Sequence, residues 1–413
     1  MYYNRYNFYQ NGGDNVKNEI VRLKGPDRVR KRPAVMFGSA GADGAAAAVK
    51  MLLNIFISEA ARGCSGGIDL TVNADSSVSV RSYDRGLILD ETVIDGKPVW
   101  QQIFCEFFCG RWVSEDNSFR FVKHCNDLYG NEETVVNHGF DLCHVQYASA
   151  FMHVESTRDG IRKTVDFEKG YSVSDLKKEP SPDPSNTYIR FKADPEVFTD
   201  VTFPLSEITD CLRDAAATIS GLKCTVHDDR DGSFFTFLYP NGTVDYAMEI
   251  AGPVSTPLFI NEIAATGKER YNYREYDAKV RIVFAFVENR ADIICLHNYR
   301  KLYGGSHLDA VKKRLMCRIN REFIRDLGTD CGSREISELL FGDIKDNIIL
   351  ILETNCAENA SDYVNATKKA ISNRMIAEMA HDLISEKFDD YLRQNHETIF
   401  NILKNAKKTG EKA

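Results

Sequence analysis

The sequence predicts an α+β protein of two domains preceded by an arm. Three observations predict it. At 413 residues the chain exceeds what one ordinary hydrophobic core organises. Apolar residues recur at helical spacing in several long segments, Val49, Leu52, Leu53, Phe56, Ile57 and Ala60 being the clearest stripe. Elsewhere short runs alternate apolar and polar residues between turn residues, as half-buried strands do.

Residues 1–21 read as an arm. Tyr2, Tyr3, Tyr6, Phe8 and Tyr9 make it more aromatic than a disordered tail. A helix is expected over 44–62, then paired strands over 68–72 and 78–82 around the turn at 74–76. Residues 97–110 fit an amphipathic helix, and 111–140 look polar and irregular. Strands return at 151–157 and 161–167 across Arg158-Asp159-Gly160. Lys177 to Ser185 reads as a Pro-rich loop leading to a strand at 187–191. A helix over 205–219 and a hairpin of 222–227 with 233–238 complete the first domain, residues 22–245. Residues 243–255 fit a connector. The second domain, residues 246–413, should hold strands at 277–287, 291–297 and 346–354 and a long helix at 307–327. Residues 360–404 should be mostly helical. Its strand–helix–strand order predicts either a left-handed connection or a mixed sheet.

Composition narrows the function classes. A net charge of -8 gives the whole molecule no electrostatic attraction to nucleic acid, although a local patch can differ. No apolar run reaches the ~18 residues that span a bilayer. The first residues lack the apolar core of a secretory signal, so a cytoplasmic protein with no membrane partner is expected. Eleven cysteines without repeated spacing read as small buried apolar side chains. Cys105, Cys109, His124, Cys125, Cys143 and His144 lie close in sequence. They contain no tight CxxC knuckle, and no metal site is expected there.

Three segments carry a family resemblance. The first is VRKRPAVMFGSAG, Val29 to Gly41. The second is KMLLNIFISEAARG, Lys50 to Gly63. The third is IDLTVNADSSVSVRSYDRG, Ile68 to Gly86. Their order and spacing resemble the nucleotide-binding domain of gyrase B and topoisomerase IV ParE proteins, a branch of the GHKL ATPases. There the pieces read VRKRPGMYIG, ExxDNxxDEAxAG and DDGRG. Farther on, YGGSHLDA (303–310) resembles the GGTHLxGF that opens the main transducer helix. GDIKDNIILI (342–351) resembles the DxREGLxAVxSVK strand. The resemblance implies a GHKL (Bergerat) α/β sandwich followed by a transducer domain, whose α/β type is also seen in a small-subunit ribosomal protein. It also implies ATP and Mg²⁺ as cofactors, and an arm exchanged between protomers of a homodimer or of a heterodimer with a gyrase or topoisomerase IV subunit. No EGDSA metal-binding segment of a TOPRIM domain is present, so a chain complete at residue 413 is not expected to cleave DNA alone.

The chemistry the family needs is mostly replaced. Hydrolysis requires a carboxylate for the attacking water and an oxygen ligand for Mg²⁺. Aligned on Glu59, Ala60 and Gly63, the catalytic-base position is Met51 and the magnesium position is Ile55. Aligned on Arg85 and Gly86, the adenine-binding carboxylate becomes Ser82, and Asp84 replaces a glycine that lets backbone approach the base. The Gly-rich lid becomes VNHGFDLCHV, residues 136–145. Glu59 and Arg85 match a rim salt bridge, Thr187 a floor threonine, and Lys368 the QTK-loop lysine that reaches the γ-phosphate. The pattern predicts a pseudo-ATPase without a catalytic residue, whose nucleotide pocket survives in degenerate form as Ser82, Arg85, Gly86, Thr187 and Lys368 with Met51, Ile55 and Glu59. The alternative is an active ATP-hydrolysing module with altered ligands. Finally, Arg314, Arg318, Arg321 and Arg325 fall on one helix face after Lys312 and Lys313. By resemblance that helix faces a cavity through which duplex DNA passes. Lys312 and the four arginines are thus candidate phosphate contacts, with a merely solvated face as the alternative.

Overall fold

The computed structural model describes residues 23, 25–89, 93–94, 97–106, 111–115, 118–122, 135–136, 141–268, 275–288, 290–331, 338–356, 360–364 and 369–410. The aromatic arm of residues 1–21 and Lys368 lie outside the described residues.

The apolar stripe forms α1, Ala42–Ala61, with Val49, Leu52, Leu53, Phe56, Ile57 and Ala60 all buried. Gly63 ends it in a left-handed conformation, φ 74°, while the Cys64 N–H bonds back to the Glu59 carbonyl. By length and composition α1 is apolar enough to cross a membrane, which corrects the expectation that no such run exists. Its burial inside the first core accounts for that composition.

Beneath α1 lies a nine-stranded sheet. Its main strands are β1 (Gly67–Val72), β2 (Val78–Ser82), β3 (Ser149–Arg158), β4 (Ile161–Glu168), β5 (Asn186–Ala193), β6 (Lys223–Asp228) and β7 (Ser233–Phe237). Their spatial order is β4-β3-β5-β2-β1-β6-β7, with short strands added on β4. All these pairs are antiparallel except β1–β6. Helix α2, Leu205–Thr218, covers the same face, and α3, Thr243–Ala251, follows β7.

The second sheet has five strands, with β8 (Phe259–Lys268), β9 (Glu275–Phe286), β10 (Asp292–His297), β11 (Arg300–Leu302) and β12 (Ile348–Cys356) in the order β8-β9-β12-β10-β11. It is mixed, because β10 and β12 run parallel. The long α4, Ser306–Cys331, packs on it with α5 (Arg374–Leu383), α6 (Glu386–Gln394) and α7 (His396–Gly410). Val283, Ile294, Leu296 and Ile351 of this sheet join the core of the first, so the two halves share apolar contact.

Several expectations are corrected. The helix expected over 97–110 is Val99–Cys105, after which Glu106 turns extended. Within 111–140 the described residues include strands Arg111–Glu115, Ser118–Val122 and Val135–Val136. Lys177–Pro180 is a strand on β4 rather than loop. Its Pro180 sits at the last pair, where a missing N–H costs least. The connector at 243–255 contains α3. Among the described residues of 360–373 there is no α-helix: Ala370–Ile371 is a short strand paired with Gly304–Gly305.

Candidate functional site

The β2–β5 register fixes the floor of the site. Thr187 lies opposite Ser82 on one side and Ser156 on the other. Ser82 is fully buried, and its Oγ is 3.2 Å from Ser65 Oγ. The chain leaves β2 through Tyr83, Asp84, Arg85 and Gly86. Gly86 has φ 77°, and a Cβ there would stand 2.3 Å from the Thr157 carbonyl oxygen, so only glycine fits. That close approach lets the Leu87 N–H donate to Thr187 Oγ1 at 2.9 Å and the Ser156 hydroxyl donate to the Leu87 carbonyl at 2.7 Å.

Asp84, which stands where the family has a glycine, is an integral hydrogen-bond acceptor in the turn. Its Oδ1 accepts the Thr187 hydroxyl at 2.9 Å and the Gly86 N–H at 2.8 Å. Burial pushes its carboxyl above the usual range, against the lowering effect of the Gly86, Thr187 and Ser82 hydrogen bonds. The signal was present in the chain. The turn that loses a carboxylate at Ser82 gains one two residues later.

The rim is an ion cluster. Arg85 reaches Glu59 at 3.3 Å, and Arg62 lies 3.5 Å from the other Glu59 oxygen. Burial raises the Glu59 carboxyl and outweighs the pull of both guanidinium groups, while burial lowers Arg62. Glu59 and Arg85 thus meet as expected, tying α1 to the turn.

Met51 and Ile55 stand on α1. Ile55 is 5% exposed and belongs to the first core, and Met51 is half-buried against it. Neither offers a lone pair that binds Mg²⁺ or takes a proton from water at neutral pH. The lid segment is helical over Asp141–Tyr147, with Leu142, Cys143 and Val145 buried. The structure thus gathers Ser82, Gly86 and Thr187 at the floor and turn and ties Arg85 to Glu59, while Met51 and Ile55 stand on the same helix as Glu59.

The arginine stripe divides. Arg318 is 9% exposed and ion-paired with Asp389 of α6. Arg321 contacts the same Asp389 oxygen at 2.5 Å, with over half its side chain exposed. Arg314 donates to the Ile384 carbonyl at 3.3 Å, and the Lys312 ammonium sits 5.0 Å above the Phe341 ring. The side chain of Arg325 is outside the described residues. A face expected to be free for phosphate is largely engaged by the helices folded over it, because Asp389 supplies the counter-charge from within the chain.

Known proteins resemble this chain in sequence and fold. The family model for DNA gyrase B matches residues 242–413. The gyrase B protein of Thermotoga maritima is 25% identical over 387 residues, covering 93% of this chain and 58% of the relative. The B component of DNA topoisomerase 4 from Bacillus subtilis is 24% identical over 404 residues, covering 96% and 57%. The fold superposes on the 43K ATPase domain of Thermus thermophilus gyrase B, crystallised with an aminocoumarin. The TM-score is 0.62 at 22% identity, with 93% of each chain covered. It also superposes on the gyrase B protein of Myxococcus xanthus, with a TM-score of 0.64 at 16% identity, covering 92% and 99%. This chain is a gyrase B/topoisomerase IV B-like region. It has the GHKL ATPase fold and spans under three-fifths of the length of these curated relatives.

Proposed function

We propose that this gyrase B-like region is catalytically degenerate and acts by binding, as a dimer-forming partner of itself or of a gyrase or topoisomerase IV subunit. One observation carries the reading. On α1, which Glu59 ties to the turn, the positions that must supply a base and a metal ligand hold Met51 and Ile55, and Ile55 is packed in the core. The two carboxylates that remain are both engaged within the protein. Asp84 accepts from Thr187 and Gly86, and Glu59 is held between Arg62 and Arg85. Neither is poised to orient water at a phosphate. Burying Ile55 in place of a polar ligand contributes about 1.5–3 kcal/mol of stability that a bound nucleotide would otherwise supply.

An active module is the competing reading. It draws on the hydroxyl floor of Ser82 and Thr187 and on the Asp84 carboxyl beside them. A calorimetric titration with ATP, with and without Mg²⁺, separates the two. The degenerate reading expects any residual affinity to be unchanged by Mg²⁺, since no oxygen ligand stands at position 55. Affinity that rises at least tenfold with Mg²⁺ would favour the active module. DNA binding belongs to the same proposal in a reduced form. With Arg318 committed to Asp389, the phosphate contacts fall to exposed cations such as Arg321 and Lys313.

A further inference from the structure

The seam between the two halves contains a buried carboxyl that the nucleotide site does not use. Asp214 lies on α2, which packs against β11 of the second sheet and against α3. It is 3% exposed. Its Oδ1 accepts one long hydrogen bond, 3.4 Å, from the Tyr246 hydroxyl on α3.

The charged groups around it are unevenly disposed. From α2 itself come Asp210 and Arg213. Arg213 is already bonded to Asp210 at 2.9 Å and lies 4.0 Å from Glu249 of α3. The loop after β7 brings Tyr239, whose hydroxyl donates to Glu249. The second domain brings Lys301 on β11, the largest influence favouring the ionised form. Lys50 of α1 and Arg300 of β11 act on the neighbouring Cys211. A separate carboxyl in the seam, Glu353 of β12, accepts the Thr243 hydroxyl at 3.1 Å, with Arg281 and Lys279 nearby.

We propose that Asp214 is a proton-operated latch between the two domains, neutral and buried when α2 is docked on β11 and released when it ionises. A neutral carboxyl brings no charge into the seam and accepts the Tyr246 hydrogen bond. A carboxylate there has lost its water and gains in return Lys301, a long and otherwise exposed side chain, with lesser help from Tyr246 and Arg213. Burial pushes the Asp214 carboxyl up to about 7. An opened, hydrated seam returns it to the ordinary range near ~4. The docked state therefore holds a proton that the open state gives up. Docking weakens as pH rises between those two values, by up to about tenfold per pH unit, and levels off above them.

Amide hydrogen exchange on the whole chain tests this, read at α2 and β11 from pH 5.5 to 8 and corrected for intrinsic exchange. The wild type should show an opening population that rises at least tenfold by pH 7 and then flattens. Asp214→Asn keeps a neutral group and should stay protected without slope. Lys301→Met removes the cation that favours ionisation, so its rise should continue past pH 7. Asp214→Asn retaining the wild-type slope would assign the titration to Glu353 and overturn the proposal. So would a flat wild-type profile. If Asp214→Asn does not fold, a Lys301→Met profile identical to wild type overturns it equally.

Discussion

Replacing Arg318 with alanine distinguishes a structural arginine from a phosphate-facing one. Arg318 and Asp389 have side chains 10% and 8% exposed, and their ion pair joins α4 to α6. Removing one partner of such a pair costs about 3–5 kcal/mol, because the other charge stays buried. Here Asp389 keeps Arg321, whose 56% exposure makes it a weaker and solvent-screened substitute. The expected loss is therefore about 2–3 kcal/mol, below the full figure. For a domain of this size that lowers the second domain's Tm by roughly 4–12 °C, at about 2–4 °C per kcal/mol. Differential scanning calorimetry at about 0.15 M salt reads it, with Lys313→Ala as the exposed control expected to shift Tm by less than about 1 °C. The double variant Arg318→Ala with Asp389→Ala should recover part of the loss, since no charge is then stranded. An Arg318→Ala shift no larger than that of Lys313→Ala would refute the argument and restore Arg318 to the solvent-facing stripe.

Three further outcomes follow from the geometry. Gly86→Ala forces a Cβ to within 2.3 Å of the Thr157 carbonyl at positive φ, and should cost more than about 1 kcal/mol in urea unfolding. Burial raises both Glu59 and Asp84, so the folded state holds these protons more tightly than the unfolded chain. Their contribution is complete below the ordinary carboxylate range and declines as pH rises through the raised values. Glu59→Gln with Asp84→Asn should flatten the part of the stability–pH profile that lies above the ordinary carboxylate range. For duplex DNA, Arg321→Ala should reduce the log–log salt slope by about 1 if it contacts phosphate, whereas Arg318→Ala should leave the slope unchanged in protein that remains folded.

Much of the scaffold was legible because periodicity and glycine chemistry are local. The apolar stripe anticipated α1 to within two residues. The strand expected at 187–191 is the centre of β5, and the parallel β10–β12 pair resolves the second sheet as mixed. What escaped was decided by partners distant in sequence. Strand β8, Phe259–Lys268, alternates buried or half-buried with exposed residues, but Ala265 and Gly267 are too small to mark its inner face. Lys177–Pro180 is recruited to strand structure only because β4 offers its edge. The site followed the same rule. Identity at Met51, Ile55 and Ser82 could be aligned along the chain. That Asp84 would accept from Thr187, 103 residues away, depends on the β2–β5 register. Arg318 looked free because its counter-ion, Asp389, lies 71 residues downstream on α6.

Steady-state phosphate release from ATP, with and without Mg²⁺, bears most directly on the central claim. The account predicts no Mg²⁺-dependent turnover above background for the wild type, since loss of a general base alone removes about 10²–10⁴-fold. It predicts none for Met51→Glu with Ile55→Asn either, because the lid segment remains helical over Asp141–Tyr147 and the Asp84 carboxyl remains bonded to Thr187. Mg²⁺-dependent release by the wild type that disappears in Glu59→Gln would contradict it, and would make Glu59 the working base of an active site.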